Sequence, residues 1–390
     1  MKKKIRVMQP YIDDKDFKVA GELVEKKWIT SGVQVRSFEN EFAKFLGRKY
    51  GVAVNSGSSA NLVMVEVLKA LKYLKKGDKV ITPALTWGTT VSPLIQTGMV
   101  PIFLDITLEK KHFLTLDREK MELALEHFKG AKVFPLYTLG FEPKKEVLEE
   151  SMMADCCDAL NRVPRNVLIS SYSFFMAHHL VAGEGGMILT DDPKISRIGR
   201  AVRDTGRKCY LDCPFWSKLD VCKQITDPEF ICPHSDWRMS FEIPAYNLKM
   251  LDLCASIGRA QLRKVGRIMG LRKRNAKFLC NELGKLRTYG LRIPEYTESA
   301  SWFSFPIIFE GDRGSLVKYL NRNRVETRPI LSGNITRHNF LKGKDYQVPV
   351  SLENTELVHK KGFMIGCHPS LTIKDLKYIV EKFEEYFEED

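Results

Sequence analysis

Ser171-Tyr172-Ser173-Phe174-Phe175-Met176-Ala177-His178-His179-Leu180-Val181-Ala182-Gly183-Glu184-Gly185-Gly186 is the stretch on which the fold turns. Its first residues close an apolar run over 167–172 that reads as a buried strand, and the run over 187–190 just past Gly186 reads as another. Between the two stand a pair of histidines and a glycine-rich turn. Ligands of open α/β sheets lie outside the carboxyl ends of the strands, so these histidines occupy a place where chemistry is expected.

Outward from this stretch, short apolar runs at 80–82, 100–105, 133–137 and 152–155 alternate with helical patterns. That is the rhythm of an α/β domain with a mostly parallel sheet. Residues 208–244 interrupt it with cysteines, aromatics and prolines and with little periodicity, at a length unusual for a passive loop. They are either functional or an insert organised by a metal. Beyond 244 an amphipathic helical region runs to about 286, a strand is expected over 302–309, and 316–323, 325–330 and 373–387 complete a small α+β unit. The expected organisation is a large domain over 1–250, carrying the insert at 208–244, and a small C-terminal domain over 251–390.

The 390 residues, 44% hydrophobic and 28% charged, suit a soluble globular enzyme and exclude disordered and collagen-like classes. No uninterrupted apolar run is long enough to span a membrane. Met1-Lys2-Lys3-Lys4 leads into Ile5-Arg6-Val7-Met8-Gln9-Pro10 and not into an apolar signal core, so a cytoplasmic protein is expected. The net charge of +13 is spread along helices and forms no compact arm with interleaved aromatics, which argues against nucleic acid. It leaves two readings open, a solvated basic face and a field that draws in a small anionic substrate such as a sugar nucleotide with its diphosphate. Nine cysteines without a secretion signal indicate reduced thiols. Cys156, Cys157, Cys209, Cys213, Cys222 and Cys232 gather in one third of the chain, whereas Cys254, Cys280 and Cys367 sit among apolar neighbours as core residues.

Several strand ends carry candidate ligand-binding groups. Asn55-Ser56-Gly57-Ser58-Ser59-Ala60-Asn61 opens a helix at about Ser58, where small residues let amides and hydroxyls surround a phosphate; a plain N-cap would use the same residues. Asp155 closes its strand where a carboxylate can pair with a protonated pyridine nitrogen, or serve merely as a strand-end acid. Trp87, at the start of a helix, either stacks on a planar ring or belongs to the core.

Together these elements resemble the DegT-type sugar aminotransferases, whose fold is the aspartate aminotransferase-like arrangement of fold type I pyridoxal phosphate enzymes, over nearly the whole chain. The resemblance rests on residues 56–61, Gly77-Asp78-Lys79-Val80-Ile81-Thr82-Pro83, Asp155, Gly183-Glu184-Gly185-Gly186 and Tyr246-Asn247-Leu248-Lys249-Met250. One departure decides the chemistry. Where that family carries the lysine that binds the cofactor covalently, this chain has His178, and an imidazole only moves protons. With Asp155-Cys156-Cys157-Asp158-Ala159-Leu160, Ala177-His178-His179, Thr327-Arg328 and Gly333-Asn334-Ile335-Thr336-Arg337, the chain is similar to the branch with His for Lys, the pyridoxamine phosphate-dependent sugar-nucleotide 3-dehydratases.

That resemblance implies a role for each matching position. Gly57, Ser58, Ser59 and Ser173 would bind the cofactor phosphate, and Asn247 would reach it from the partner subunit of a homodimer. Trp87 would stack on the ring, Asp155 would hold the pyridine nitrogen, and Asp158 would lie near the phenolic oxygen. His178 would be the base, and His179, Arg328 and Arg337 would stand on the substrate side, with His179 also fitted to support its loop. The substrate implied is a nucleotide-linked 4-keto-6-deoxyhexose that loses its C3 hydroxyl.

Two outcomes occur in the families this sequence is similar to. In the CDP-4-keto-6-deoxyglucose 3-dehydrase type a [2Fe-2S] cluster takes electrons from a partner flavin iron–sulfur reductase; in the GDP-4-keto-6-deoxymannose 3-dehydratase type glutamate restores the amine and there is no cluster. Cys157 and Arg203-Asp204-Thr205-Gly206-Arg207-Lys208-Cys209 match the iron–sulfur type, but Leu211 replaces its next cysteine. Cys213, Cys222 and Cys232 then offer substitutes at altered spacing, and a four-thiolate set of Cys157, Cys209, Cys213 and Cys222 is the expectation. Zinc on the same thiolates, with His234, and unligated cysteines are the alternatives. An aminotransferase-like scaffold without catalysis is the reading from another class, opposed by the presence of Asp155, Trp87 and Ser173.

Overall fold

The computed structural model describes residues 4–212, 239–298 and 301–388. Seven short strands build the main sheet: β1 (Tyr50–Val54), β2 (Lys79–Pro83), β3 (Val100–Leu104), β4 (Lys132–Val133), β5 (Met153–Asp155), β6 (Ile169–Ser173) and β7 (Gly186–Thr190). They pair in two groups, β1-β7-β6-β5 and β3-β2-β4. Parallel bridges from Val133 to Ser151 and from Leu136 to Asp155 join the groups side by side. The order is therefore β1-β7-β6-β5-β4-β2-β3, with β7 antiparallel to both its neighbours. This is the expected mostly parallel sheet. β4 is shorter than the run over 133–137 suggests because Pro135 has no N–H to give. The chain nevertheless stays against β5, with Asp155 N donating to Pro135 O at 3.0 Å and Tyr137 N to Asp155 O at 2.9 Å.

Alternation along the strands fills a core on each face. Ala53, Ala154, Tyr172, Met187 and Leu189 face one way and meet Phe38 and Phe42 of the helix Val33–Phe45. Val52, Val54, Met153, Ile169 and Ile188 face the other way and meet Val63, Met64 and Val67 of the helix Gly57–Ala70. Buried Glu39 fixes the helix Pro193–Arg203 to β1 by accepting from Arg200 at 2.7 Å, from Arg203 at 2.6 Å and from the Ala53 amide at 2.8 Å. Burial opposes its charge, but the two guanidiniums hold its carboxyl below the usual range.

A second sheet, β8 (Leu291–Arg292), β9 (Phe305–Phe309) and β10 (Gly362–Ile365), is antiparallel in the order β10-β9-β8. The helices Arg313–Arg322 and Ile373–Glu388 cover it around Phe305, Ile307, Phe363 and Phe383. Residues 325–330 form no strand and make only isolated bridges, Val325 to Ile5 and Arg328 to Met364. The helical region after 244 is two helices, Asp252–Arg263 and Val265–Leu283, the first packing on Asp14–Glu25 and Val33–Phe45. No helix among the described residues is long and apolar enough to cross a membrane.

The two ends of the cysteine-rich segment pair with each other. Thr205 N donates to Tyr246 O at 2.7 Å, Glu242 N to Gly206 O at 2.8 Å and Lys208 N to Ser240 O at 2.9 Å. Asp204 adds side-chain ties to Lys249 at 2.7 Å and Tyr210 at 2.8 Å.

Candidate active site

The parallel strands β1, β2, β5 and β6 end on one side of the sheet, and the loops that follow them surround a cavity of about 530 Å³. Ser56, Gly57 and Ser58 come from the turn after β1, Trp87 from that after β2, Asp155 to Asp158 from the end of β5, and Ser173 to His178 from the exit of β6. Arg328 and Phe303 close the cavity from the side of the second sheet.

At its floor the helix Gly57–Ala70 begins. Ser56 caps it by accepting from the Ser59 amide, and the first turn closes with Ala60 N on Ser56 O at 3.0 Å. The amides before that bond, and the positive end of the helix, face the cavity. Gly57 is required by close approach: a Cβ there would lie 2.6 Å from Ser173 Cβ and 2.9 Å from Cys157 Sγ. Ser58 lines the cavity and donates to Thr89 Oγ1 at 2.9 Å. Ser59 turns instead to Asn55 Oδ1 at 2.6 Å.

Asp155 is 5% exposed and held from three sides. Its Oδ2 accepts from Asn61 Nδ2 and Thr90 Oγ1, both at 2.8 Å, and its Oδ1 accepts from the Cys157 amide at 3.0 Å. Ser171 Oγ donates to Asn61 Oδ1 at 2.6 Å and fixes that amide's orientation. Trp87 precedes the helix Gly88–Gln96, and its indole is 55% exposed on the cavity wall, not in the core. An exposed Trp and a buried, oriented carboxylate lining one cavity suit a planar ring.

His178 is mostly buried on the opposite wall. Its ring centroid lies 5.1 Å from that of Phe303, and its Nδ1 stands 3.7 Å from Asp158 Oδ1 with no hydrogen-bond partner. Burial, with a smaller contribution from the Arg272 charge, lowers its pKa to about 3, so the imidazole is neutral at physiological pH. Burial and the neighbouring Asp155 charge push Asp158 up to about 7. No lysine stands among the described residues that line the cavity.

Other expected site residues lie elsewhere. The His179 ring is 3% exposed and meets the Ser301 carbonyl through Nε2 at 2.7 Å, so it supports the loop and does not reach the cavity. Arg337 is drawn to Glu356 at 2.6 Å. Asn247 is exposed in the stem of the cysteine-rich segment, bridged to Asp204 and outside this cavity. Cys157 is in the cavity wall and Cys209 in the short helix Lys208–Asp212; Cys213, Cys222, Cys232 and His234 lie outside the described residues. Among the described residues no group of three or more His, Cys, Asp or Glu side chains is disposed to hold a metal.

The fit to pyridoxal phosphate can be judged on these contacts. A helix N-terminus cleared by Gly57 suits the phosphate. Trp87 suits the ring, and Asp155, braced by Asn61 and Thr90, suits the pyridine nitrogen. Buried Tyr137 and Thr138 in the same wall have hydroxyls with no partner, as expected of polar groups that await a ligand.

This is the fold of the pyridoxal phosphate-dependent aminotransferase class, and the chain belongs to the DegT/DnrJ/EryC1/StrS aminotransferase family, which it matches over residues 10–384. It is 32% identical to a GDP-4-keto-6-deoxy-D-mannose 3-dehydratase of Escherichia coli O55:H7, over 95% of this chain and 96% of that one. It is also 32% identical to a dTDP-4-dehydro-2,6-dideoxy-D-glucose 3-dehydratase of Saccharopolyspora spinosa, over 98% and 86%. Among solved structures, a GDP-4-keto-6-deoxymannose-3-dehydratase with a trapped PLP–glutamate geminal diamine superposes with a TM-score of 0.85 at 29% identity, covering 97% of this chain and 99% of that one.

Proposed function

We propose that this protein is a pyridoxal/pyridoxamine phosphate-dependent lyase that removes the C3 hydroxyl of a nucleotide-linked 4-keto-6-deoxyhexose in deoxysugar biosynthesis. The observation that carries it is the coincidence of a braced ring-nitrogen carboxylate, Asp155, with a neutral His178 where the family has its lysine. The relatives named as 3-dehydratases support the substrate class. Bound in its amine form, the cofactor supplies an electron sink for a 4-keto sugar.

The chain's own groups supply the rest. Asp155 would hold the pyridine nitrogen protonated, Trp87 would cover the ring, and the Gly57 turn with Ser58 and Ser173 would bind the phosphate. His178, neutral in the wall of the same cavity, would serve as the base and, once protonated, as the acid available to the departing C3 hydroxyl. Arg328, which lines the cavity from an exposed position and is paired with Glu326 at 3.3 Å, would face the substrate's anionic part.

How the cofactor is restored divides two courses. The thiols support reductase coupling: Cys157 is in the cavity wall, Cys209 stands at the root of the segment that carries Cys213 and Cys222, and four thiolates would hold a [2Fe-2S] cluster fed by a flavin iron–sulfur reductase. The likeness over almost its full length to a dehydratase trapped with glutamate supports the cluster-free course. In either, the working enzyme is a cytoplasmic homodimer, with Asn247 offered to the partner's cofactor.

Visible and electron paramagnetic resonance spectra of protein purified without oxygen, with turnover of GDP-, CDP- and dTDP-linked 4-keto-6-deoxyhexoses, test both levels. Loss of the C3 hydroxyl from one of these sugars supports the dehydratase. Transamination without dehydration overturns it. A reduced-state iron signal selects reductase coupling, and glutamate-dependent turnover of iron-free protein selects the other course.

A further inference from the structure

Arg272, in the middle of the helix Val265–Leu283, is 1% exposed and has no carboxylate partner among the described residues. A lone guanidinium taken out of water costs several kcal/mol unless its donors are satisfied. Nη1 donates to the carbonyls of Trp302 at 3.0 Å and Phe303 at 2.8 Å, while Nε has no partner. Arg272 loses some basicity through burial, to about 10, and therefore stays charged at neutral pH.

Its two carbonyl partners belong to a short strap, residues 301–303, that runs behind His178. His179 meets the strap at Ser301 O, and Phe303 N donates to Leu139 O at 2.9 Å. Leu139 N in turn donates to Asp158 Oδ2 at 3.3 Å. Gly140 allows this crossing, because a Cβ there would lie 2.6 Å from Ser301 O. Phe303, the last residue of the strap, lays its ring against His178. The strap is thus held by a cation on one side and by the loop that contacts Asp158 on the other.

We propose that Arg272 is a positioning residue for His178, acting through the strap it grips and through a charge that no carboxylate neutralises. The charged or titratable groups around His178 are Asp158, Asp155 and Cys157 from the end of β5, Tyr137, His179 beside it, Arg272 behind the strap, and Arg328 and Glu184 in the cavity lining. Of these Arg272 is the buried cation, and its field opposes a proton on either histidine. The imidazole therefore meets the cofactor as a free base with its ring plane set by Phe303. The assignment of His178 as base rests on the dehydratase reading above.

The test uses the full-length protein labelled with 13C at histidine Cε1, with His178→Gln to assign the His178 resonance. Arg272→Gln removes the charge and keeps a donor. Its His178 titration midpoint is expected to rise by about one pH unit or more, the size of effect one nearby charge has on a buried group. Arg272→Lys keeps the charge but loses the rigid fork, so the midpoint stays low while kcat falls about tenfold at unchanged KM. A His178 midpoint unmoved in Arg272→Gln overturns the proposal. If that variant does not fold, wild-type kcat in Arg272→Lys overturns it instead, and reduced kcat at unchanged KM sustains it. A raised midpoint in protein that dehydrates no sugar would leave the positioning role standing and remove the dehydratase reading alone.

Discussion

His178 Nδ1 and Asp158 Oδ1 stand 3.7 Å apart in the cavity lining, and burial moves their proton affinities in opposite directions. The imidazole is held neutral and the carboxyl is held partly protonated. That pairing leaves the imidazole free to accept a proton while the neighbouring carboxyl retains part of its own.

The pair has a signature in stability. Asp158 has an unfolded value of 3.8 and a folded value of about 7, so between these pH values the folded chain binds a proton the unfolded chain releases, and stability falls as pH rises through the window. Asp158→Asn abolishes that slope, and cofactor-free protein at pH 8 should gain on the order of a few kcal/mol. His178 runs the other way: from 6.5 down to about 3 the unfolded chain takes up the proton, so stability falls with falling pH. His178→Gln should flatten that acid limb. Urea titrations across pH 3–8 measure both.

His178→Lys restores an amine where the family keeps one. The variant is expected to attach the cofactor covalently, seen as borohydride-stable labelling in the mass spectrum, and to lose C3 dehydration. Full dehydratase turnover in this variant would remove His178 from its role.

Asp155→Asn keeps the shape of the carboxylate but not its charge. Since Asn61 and Thr90 both donate to it, one new amide N–H is left facing a donor. Cofactor affinity should drop about 10–100-fold, corresponding to loss of a charge-assisted hydrogen bond. Fluorescence titration with pyridoxal phosphate reads this directly.

Arg328 and Arg337 should separate cleanly. Arg328 lines the cavity, whereas Arg337 is engaged with Glu356. Arg328→Ala should raise KM for the sugar nucleotide about tenfold or more. Arg337→Ala should leave KM unchanged and barely alter stability, as expected of an exposed, solvent-screened ion pair.

Gly57→Ala places a methyl group between Ser173 and Cys157. Phosphate binding should weaken about tenfold or more, because the turn must open to admit it. Isothermal titration of pyridoxal phosphate against the variant is the measurement.

The strand-end motifs were legible because each is local. A Gly-Ser turn before a helix, an Asp closing a strand and a histidine in place of a lysine can be read within a few residues. What surrounds them was not. Asn61 and Thr90, which brace Asp155, come from two different helices, and only the sheet order brings them together. Asn61 stood within the quoted 55–61 motif, yet its spacing from Ser58 gave no sign that it points at a carboxylate. Phe303 and Arg272 carry no sequence signal, since an Arg in a basic amphipathic helix reads as a surface residue. Arg337 and His179 show the opposite problem: the residue types suited a substrate, but Glu356 and the Ser301 carbonyl claim them first. Trp87 left core and ring stacking open, and its exposure excludes the core.

The paired ends at 204–208 and 240–247 close the chain on itself at the base of the cysteine-rich segment. With its two roots already joined, altering the length of what hangs between them costs little, about 0.6 kcal/mol for each doubling. Evolution can therefore lengthen, trim or rewire this appendage while the sheet, the Asp155 slot and His178 stay as they are.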